Sequence, residues 1–248
     1  MTDKDNLAAN TVSTPTTSIL VGFYSAVFTT IMTVVTFSFA ITAMPISGAN
    51  CLEGCIEYPY LDTISQFPKD YLWMYPATIL ILSYVILMIS IHSYASQQNK
   101  IFGQIGVSFA IIAALTLLSD YFIQYSIIPV SLMNRETEGI PLLTQYNPHG
   151  VFIALEELGY LIMNLSFLFV APVFTNKNRL ENAIRWVFVI GFVLAIISLI
   201  MVSINYGLDR QDRFEVAVIS INWLILIING ILLSILFKRQ LKEKGKVQ

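Results

Sequence analysis

The sequence predicts an all-α membrane protein, a bundle of six transmembrane helices with N-terminus and C-terminus both cytosolic. Three observations predict it. The chain is 56% hydrophobic and only 12% charged, with a mean hydropathy of +0.69, whereas about a quarter of residues are charged in a typical soluble domain. Its apolar residues are gathered into long runs separated by short charged or proline-bearing segments. Its Lys and Arg residues fall unevenly on the two sides that those runs define.

A helix rising about 1.5 Å per residue needs roughly 20 mainly apolar residues to cross about 30 Å of hydrocarbon. Six runs meet that requirement: Ser18 to Met44, Tyr71 to Ala95, Ile101 to Val130, Val151 to Phe174, Leu180 to Tyr206 and Phe214 to Phe237. The first follows residues 1–17, a polar segment predicted to be disordered, with one Lys against two Asp. A signal peptide has an apolar stretch of about 7–15 residues behind a basic start, so this longer run reads as a retained span. The second opens among Tyr71, Trp73 and Tyr75, and Trp186 lies near the start of the fifth. Such amphipathic rings prefer membrane interfaces. The fourth follows the chain-breaking Asn147-Pro148, with Asn147 placed to cap the helix start. Residues 18–237 thus form one domain, followed by a basic cytosolic tail at 238–248. That tail reads as a stop-transfer flank that fixes topology; binding of anionic lipid heads, at about 1 kcal/mol per basic residue near the surface, is the sharper alternative. A β-barrel would instead show alternating segments of about ten residues.

Short positively charged loops stay cytosolic. One side collects Lys4, Lys100, Lys177, Arg179, Arg185, Lys238, Arg239, Lys242, Lys244 and Lys246, and the other only Lys69, Arg135, Arg210 and Arg213. Loops near residues 45–70, 131–150 and 207–213 are therefore predicted outside. No internal repeat relates the first three spans to the last three, which removes one common pointer to a transporter.

The net charge of −2 supplies no basic field for nucleic acid. With two cysteines there is neither a disulfide-rich scaffold nor a four-thiolate zinc set. On an oxidising side Cys51 and Cys55 can close a small ring around Gly54. A redox-active pair is the sharper alternative, although membrane thiol oxidoreductases generally pass electrons between two pairs. His149 could sense pH or bind a metal, while His92 reads as interfacial.

Ionisable groups at mid-membrane cost about 2.5 kcal/mol or more each and usually face the bundle interior. Asp120, Glu156 and Glu157 are such groups. Thr116, Asp120 and Gln124 share a face at i, i+4 spacing, and Glu157, Tyr160 and Asn164 form a second stripe at i, i+3, i+7. Glu156 points roughly 100° away, which favours Glu157 for the interior. Glu215, Asn222 and Asn229 recur at seven-residue intervals on the sixth span, and Thr29, Thr33 and Thr36 line the first. Hydrogen-bond glue between helices explains the Asn and Thr residues. It explains less well three carboxyls with no Lys or Arg embedded among the spans; these are expected to be protonated or to bind a cation, a proton or a basic ligand.

The adjacent glutamates resemble the pair of the intramembrane CAAX-type protease family. That family's pattern has an Arg where Leu161 stands and further histidines in later helices, and none follows His149. G-x-S-x-G, phosphate-loop and retinal-lysine patterns are also absent. The chain as a whole, especially Phe67 to Pro76 and Gln145 to Tyr160, resembles an uncharacterised family of prokaryotic polytopic membrane proteins. This resemblance implies the plasma membrane of a prokaryote and no activity.

The sequence therefore leads to a multi-pass cell-membrane protein binding a small ligand or cation in an outward-facing polar pocket beneath the two outer loops. Asp120, Gln124, Glu157, Tyr160, Asn164 and Asn222 are its expected lining, with Glu156 and His149 nearby. The alternatives are a proton- or cation-coupled small-solute transporter and a membrane enzyme using the thiols or a metal at His149 with Glu156 or Glu157. No cofactor is expected.

Overall fold

A computed structural model describes residues 16–42, 46–175 and 178–245. The polar N-terminal segment up to residue 15, the junction at 43–45 and the basic Lys4, Lys177 and Lys246 lie outside the described residues. All regular elements among them are helical: α1 Thr16–Thr42, α2 Met74–Tyr94, α3 Lys100–Ser126, α4 Ile128–Met133, α5 Ile140–Leu143, α6 Val151–Val170, α7 Arg179–Tyr206 and α8 Arg213–Gly245. Six of them, α1, α2, α3, α6, α7 and α8, are long and apolar enough to cross a membrane.

The ends of these helices follow local chemistry. The run predicted to continue to Val130 breaks after Ser126, because Pro129 opens the short α4 and lacks an N–H for continued helix. Pro172 likewise converts the end of α6 into a 3-10 turn at Ala171–Val173. The segment expected to be a separate tail after Phe237 continues α8 to Gly245. It contains no breaker, and Lys242 and Lys244 in the last turn complement the helix dipole. Asn147 does not cap α6, whose N-cap residue is Gly150. Its side chain donates to Pro141 O at 2.6 Å and accepts from His149 N at 2.9 Å, holding the turn before the helix.

The helices form a ring in chain order, with α1 against α2, α2 against α3, α3 against α6, α6 against α7, α7 against α8, and α8 closing on α1. α6 also crosses α8, and with α2 it is among the most buried helices, whereas α7 is the most peripheral. Between its ends the outward side chains of α7 are mainly apolar, among them Ile190, Leu194, Ile197 and Ile204. Small residues allow the close crossings: a Cβ on Gly106 of α3 would meet Val170 and the Ser166 carbonyl of α6, and one on Gly191 of α7 would meet Ile225 of α8. At one end of the bundle Glu181 accepts from Tyr94 Oη at 2.9 Å, Thr175 N at 3.2 Å and Asn178 Nδ2 at 3.4 Å. The other end carries the Cys51–Cys55 disulfide and the loop containing α4 and α5; we refer to it as the cysteine end.

Candidate functional site

Near the cysteine end, α3, α6 and α8 enclose a hydrogen-bonded line of polar side chains. Trp223 Nε1 donates to Tyr160 Oη at 3.2 Å, Tyr160 and Tyr121 hydroxyls lie 3.0 Å apart, and Tyr121 Oη donates to Glu156 Oε1 at 2.5 Å. The direction is determined by proton count. Tyr121 has one hydroxyl proton and places it on Glu156, so between the two phenols Tyr160 donates to Tyr121, while it accepts from the indole N–H, which can only donate. Glu156 Oε1 is consequently an acceptor, and Oε2, which has no donor of its own, is left to deal with its neighbours.

The neighbour is Glu215, in the first turn of α8, within hydrogen-bonding reach of Glu156. A hydrogen bond between two carboxyls requires a proton on one of them. Asp120 completes the group: it is buried, its Oδ2 has no partner, and it lies close enough to Glu156 and Glu215 to act on both electrostatically. Glu215 belonged to the seven-residue stripe in the sequence, but its position at the end of a span gave no sign of a buried partner 59 residues earlier.

The structure reverses the expected order of the two glutamates. Glu156 is 0% exposed and faces the interior chain, while Glu157, at 4%, turns toward the connection between α7 and α8. Both are buried because α6 has neighbours on opposite sides, so a 100° difference in direction exchanges one neighbour for another. Nor is Glu157 without a counter-ion. Arg210, from that connection, donates to Glu157 Oε2. The partner of Glu157 is not a Lys or Arg embedded in a span, as expected, but the carboxyl is not left unpaired, because Arg210 reaches in from a loop remote in sequence.

This pair supports an asymmetric prediction. The Arg210 side chain is about one-third exposed and can be rehydrated, whereas Glu157 is 5% exposed and cannot. Arg210→Ala is expected to destabilise the protein by about 2–4 kcal/mol, more than Glu157→Gln does, and the double variant recovers part of the loss. Denaturant unfolding of the four proteins in detergent checks the cycle.

Other expected site residues have structural partners. Gln124 donates to Leu143 O at 2.6 Å and accepts from Gln145 N at 2.9 Å, anchoring the loop after α5. Asn164 Nδ2 donates to Tyr160 O at 3.0 Å, and Asn222 Nδ2 to Val218 O at 2.8 Å and to Tyr160 O at 3.3 Å. Thr116 donates to Ile112 O within its own helix and does not join Asp120. His149 is half exposed, with Nε2 3.8 Å from Asp209 Oδ1. Among the described residues, no three His, Cys, Asp or Glu converge as a metal site.

Two cavities open at this end. The larger, about 490 Å³, lies between the ends of α1 and α8 and the two loops; its walls include Phe37, Trp73, Phe152 and Trp223, and its acids are Asp70, Asp212 and Glu215. The smaller, about 250 Å³, is lined by His149, Glu157 and Arg210 among others. Asp120, Gln124, Glu156, Tyr160, Asn164 and Asn222 line neither cavity. The expected lining is thus a layer behind the larger cavity, because bulky Trp73, Phe152 and Trp223 stand in front of it.

No family model, curated protein or solved structure matches this chain. The geometry must therefore carry the function by itself, and one residue joins its two parts. Glu215 lines the larger cavity and also touches Glu156, the end of the phenol chain. Asp212 tethers the cysteine loop above it, accepting from Ala49 N at 2.9 Å and Asn50 Nδ2 at 3.2 Å. Tyr146 closes another side: burial first, and then the nearby Tyr71 and Asp70, push its phenol pKa upward. It therefore stays a hydrogen-bond donor, and it donates to Asp70 at 3.4 Å.

Proposed function

We propose that this chain is a multi-pass protein of a prokaryotic cell membrane that binds a small ligand or cation in the larger cavity, open to the outside. Six helices of membrane-crossing length and the apolar outward surface of α7 support the membrane location. The ten-to-four division of Lys and Arg supports cytosolic termini, which turns the cysteine end outward. Oxidising conditions outside suit the bonded Cys51 and Cys55. The resemblance of Phe67 to Pro76 and Gln145 to Tyr160 to a prokaryotic membrane family agrees with this location.

The observation that carries the reading is Glu215, open to the cavity at one side and in contact with fully buried Glu156 at the other. A ligand reaching Glu215 acts on a carboxyl pair that holds its proton in competition with that ligand. In purified protein, a ligand or cation at about 100 times its Kd adds about 2.7 kcal/mol of stability. That is a rise of about 5–10 °C in Tm for a chain of this size. Such a rise is expected for wild type in a screen of metal ions, pH values and small solutes, and is lost in Glu215→Gln. A screen without a response, or one whose hits survive unchanged in Glu215→Gln, overturns the assignment.

The second reading, a proton- or cation-coupled transporter, is favoured by the carboxyl pair of Glu156 and Glu215, buried at one member and open to the cavity at the other, which can give up a proton when a cation enters. Gradient-driven flux in proteoliposomes that disappears in Glu215→Gln separates transport from binding alone.

A further inference from the structure

Resting on the binding site just proposed, we infer that the larger cavity takes an organic cation: an ammonium group carried on an apolar, preferably aromatic, body. The charge of the lining points to this class. Asp70, Asp212 and Glu215 are its ionisable acids, and no Lys, Arg or His is among the lining residues. None of the three acids makes an ion pair among the described residues. Among the described residues, the side chains of Asp70 and Asp212 accept from neutral donors, namely Tyr146 Oη for the first and Ala49 N with Asn50 Nδ2 for the second. Glu215 has another carboxyl as its partner, and Oε2 of that fully buried Glu156 has no donor. Lys69, next to Asp70 in the chain, acts on that one acid from outside the lining; the lining itself presents acids with no base among them, which an anion would find repulsive and a neutral solute would leave in place.

The walls decide between a bare metal ion and an organic cation. Phe37, Trp73, Phe152 and Trp223 line the same cavity as the acids. Trp73 lies edge-on to Trp223 with centroids 6.4 Å apart, and Phe37 edge-on to Trp223 at 5.5 Å. Aromatic faces attract ammonium groups through their quadrupole and bury the attached apolar body. A small metal ion is usually held by several converging carboxylates, and no three His, Cys, Asp or Glu converge among the described residues. About 490 Å³ is also far more space than a bare ion needs and lies within the range of small-molecule sites.

The test is a matched series of probes on the wild-type protein: phenethylammonium, phenethyl alcohol and phenylacetate, which share one ring and differ in charge. Binding is measured by calorimetry in detergent, with sodium chloride alone as a further arm. Phenethylammonium is expected to bind at least about tenfold more tightly than the alcohol, with no measurable binding of phenylacetate. Asp70→Asn, away from the Glu156 pair, should reduce that preference, and Ala40→Phe, which fills part of the cavity, should weaken the amine. Equal binding of amine and alcohol, both sensitive to Ala40→Phe, overturns the cationic class and leaves the site standing. A response to sodium alone likewise overturns the organic class. Amine binding unchanged in Ala40→Phe, or no binding by any probe, overturns the assignment of this cavity.

Discussion

Replacing Glu156 by alanine is expected to lower the stability of the folded protein by about 2–4 kcal/mol, whereas glutamine costs less than about 1 kcal/mol. Alanine removes the acceptor of Tyr121 Oη, 2.5 Å away, in a position that water does not reach. The consequence spreads along the chain, because Tyr121 is the acceptor for Tyr160, whose hydroxyl in turn accepts from Trp223 Nε1. It also leaves a void where a fully buried side chain stood, adding a packing loss to the lost hydrogen bond. Glutamine keeps the carbonyl oxygen facing Tyr121 and presents an amide N–H to Glu215, the role that a shared proton fills in the native pair. Unfolding of the two variants in detergent, followed by tryptophan fluorescence, measures the difference. Equal losses for alanine and glutamine would remove the carboxyl pair from the site.

A leucine at Gly106 should destabilise the helix contacts by about 3 kcal/mol or more and should lower Tm by about 6–12 °C. A Cβ there would lie 2.4 Å from Val170 Cγ1 and 3.1 Å from the Ser166 carbonyl oxygen. Val170 is β-branched and cannot rotate freely within α6, and the Ser166 oxygen is backbone, so relief requires separation of the two helices. The crossing of α3 and α6 also places Tyr121 against Glu156, and Gly159 of α6 makes a second close approach at Leu117. Gly106→Leu is therefore expected to remove ligand responses together with stability. Ser108→Leu, an added side chain of the same kind on the exposed face of α3, should stay within about 0.5 kcal/mol of wild type. Thermal unfolding of the two variants checks the contrast, and similar losses at both positions would contradict the crossing.

The candidate site was legible only in its ingredients. Asp120, Glu156 and Glu157 are conspicuous because carboxyls are rare in apolar runs, and each is buried in the fold. Spacing alone ranked Glu157 above Glu156, since a helical wheel compares directions on one helix and contains no neighbours. Trp73 read as an interfacial ring and not as a site residue, and Tyr121 and Trp223 gave no signal, as aromatic residues are ordinary in such runs and become informative only when a hydroxyl or ring meets a partner. Asp70 and Asp212 lay in segments read as loops, and the cavity they line is formed by chain segments far apart in sequence.

By itself the sequence determined the all-helical class, the number of long apolar helices and, to within a few residues, most of their ends. Length and hydropathy are properties of short stretches, so these features need no knowledge of the partner helix. The tertiary structure decided that α8 closes the ring on α1, that Arg210 neutralises Glu157, and that Glu215 meets Glu156 beside an acid-lined cavity. Those outcomes depend on which face of one helix meets which neighbour, at distances of a few ångströms between residues tens of positions apart, and periodicity along one chain carries no such information.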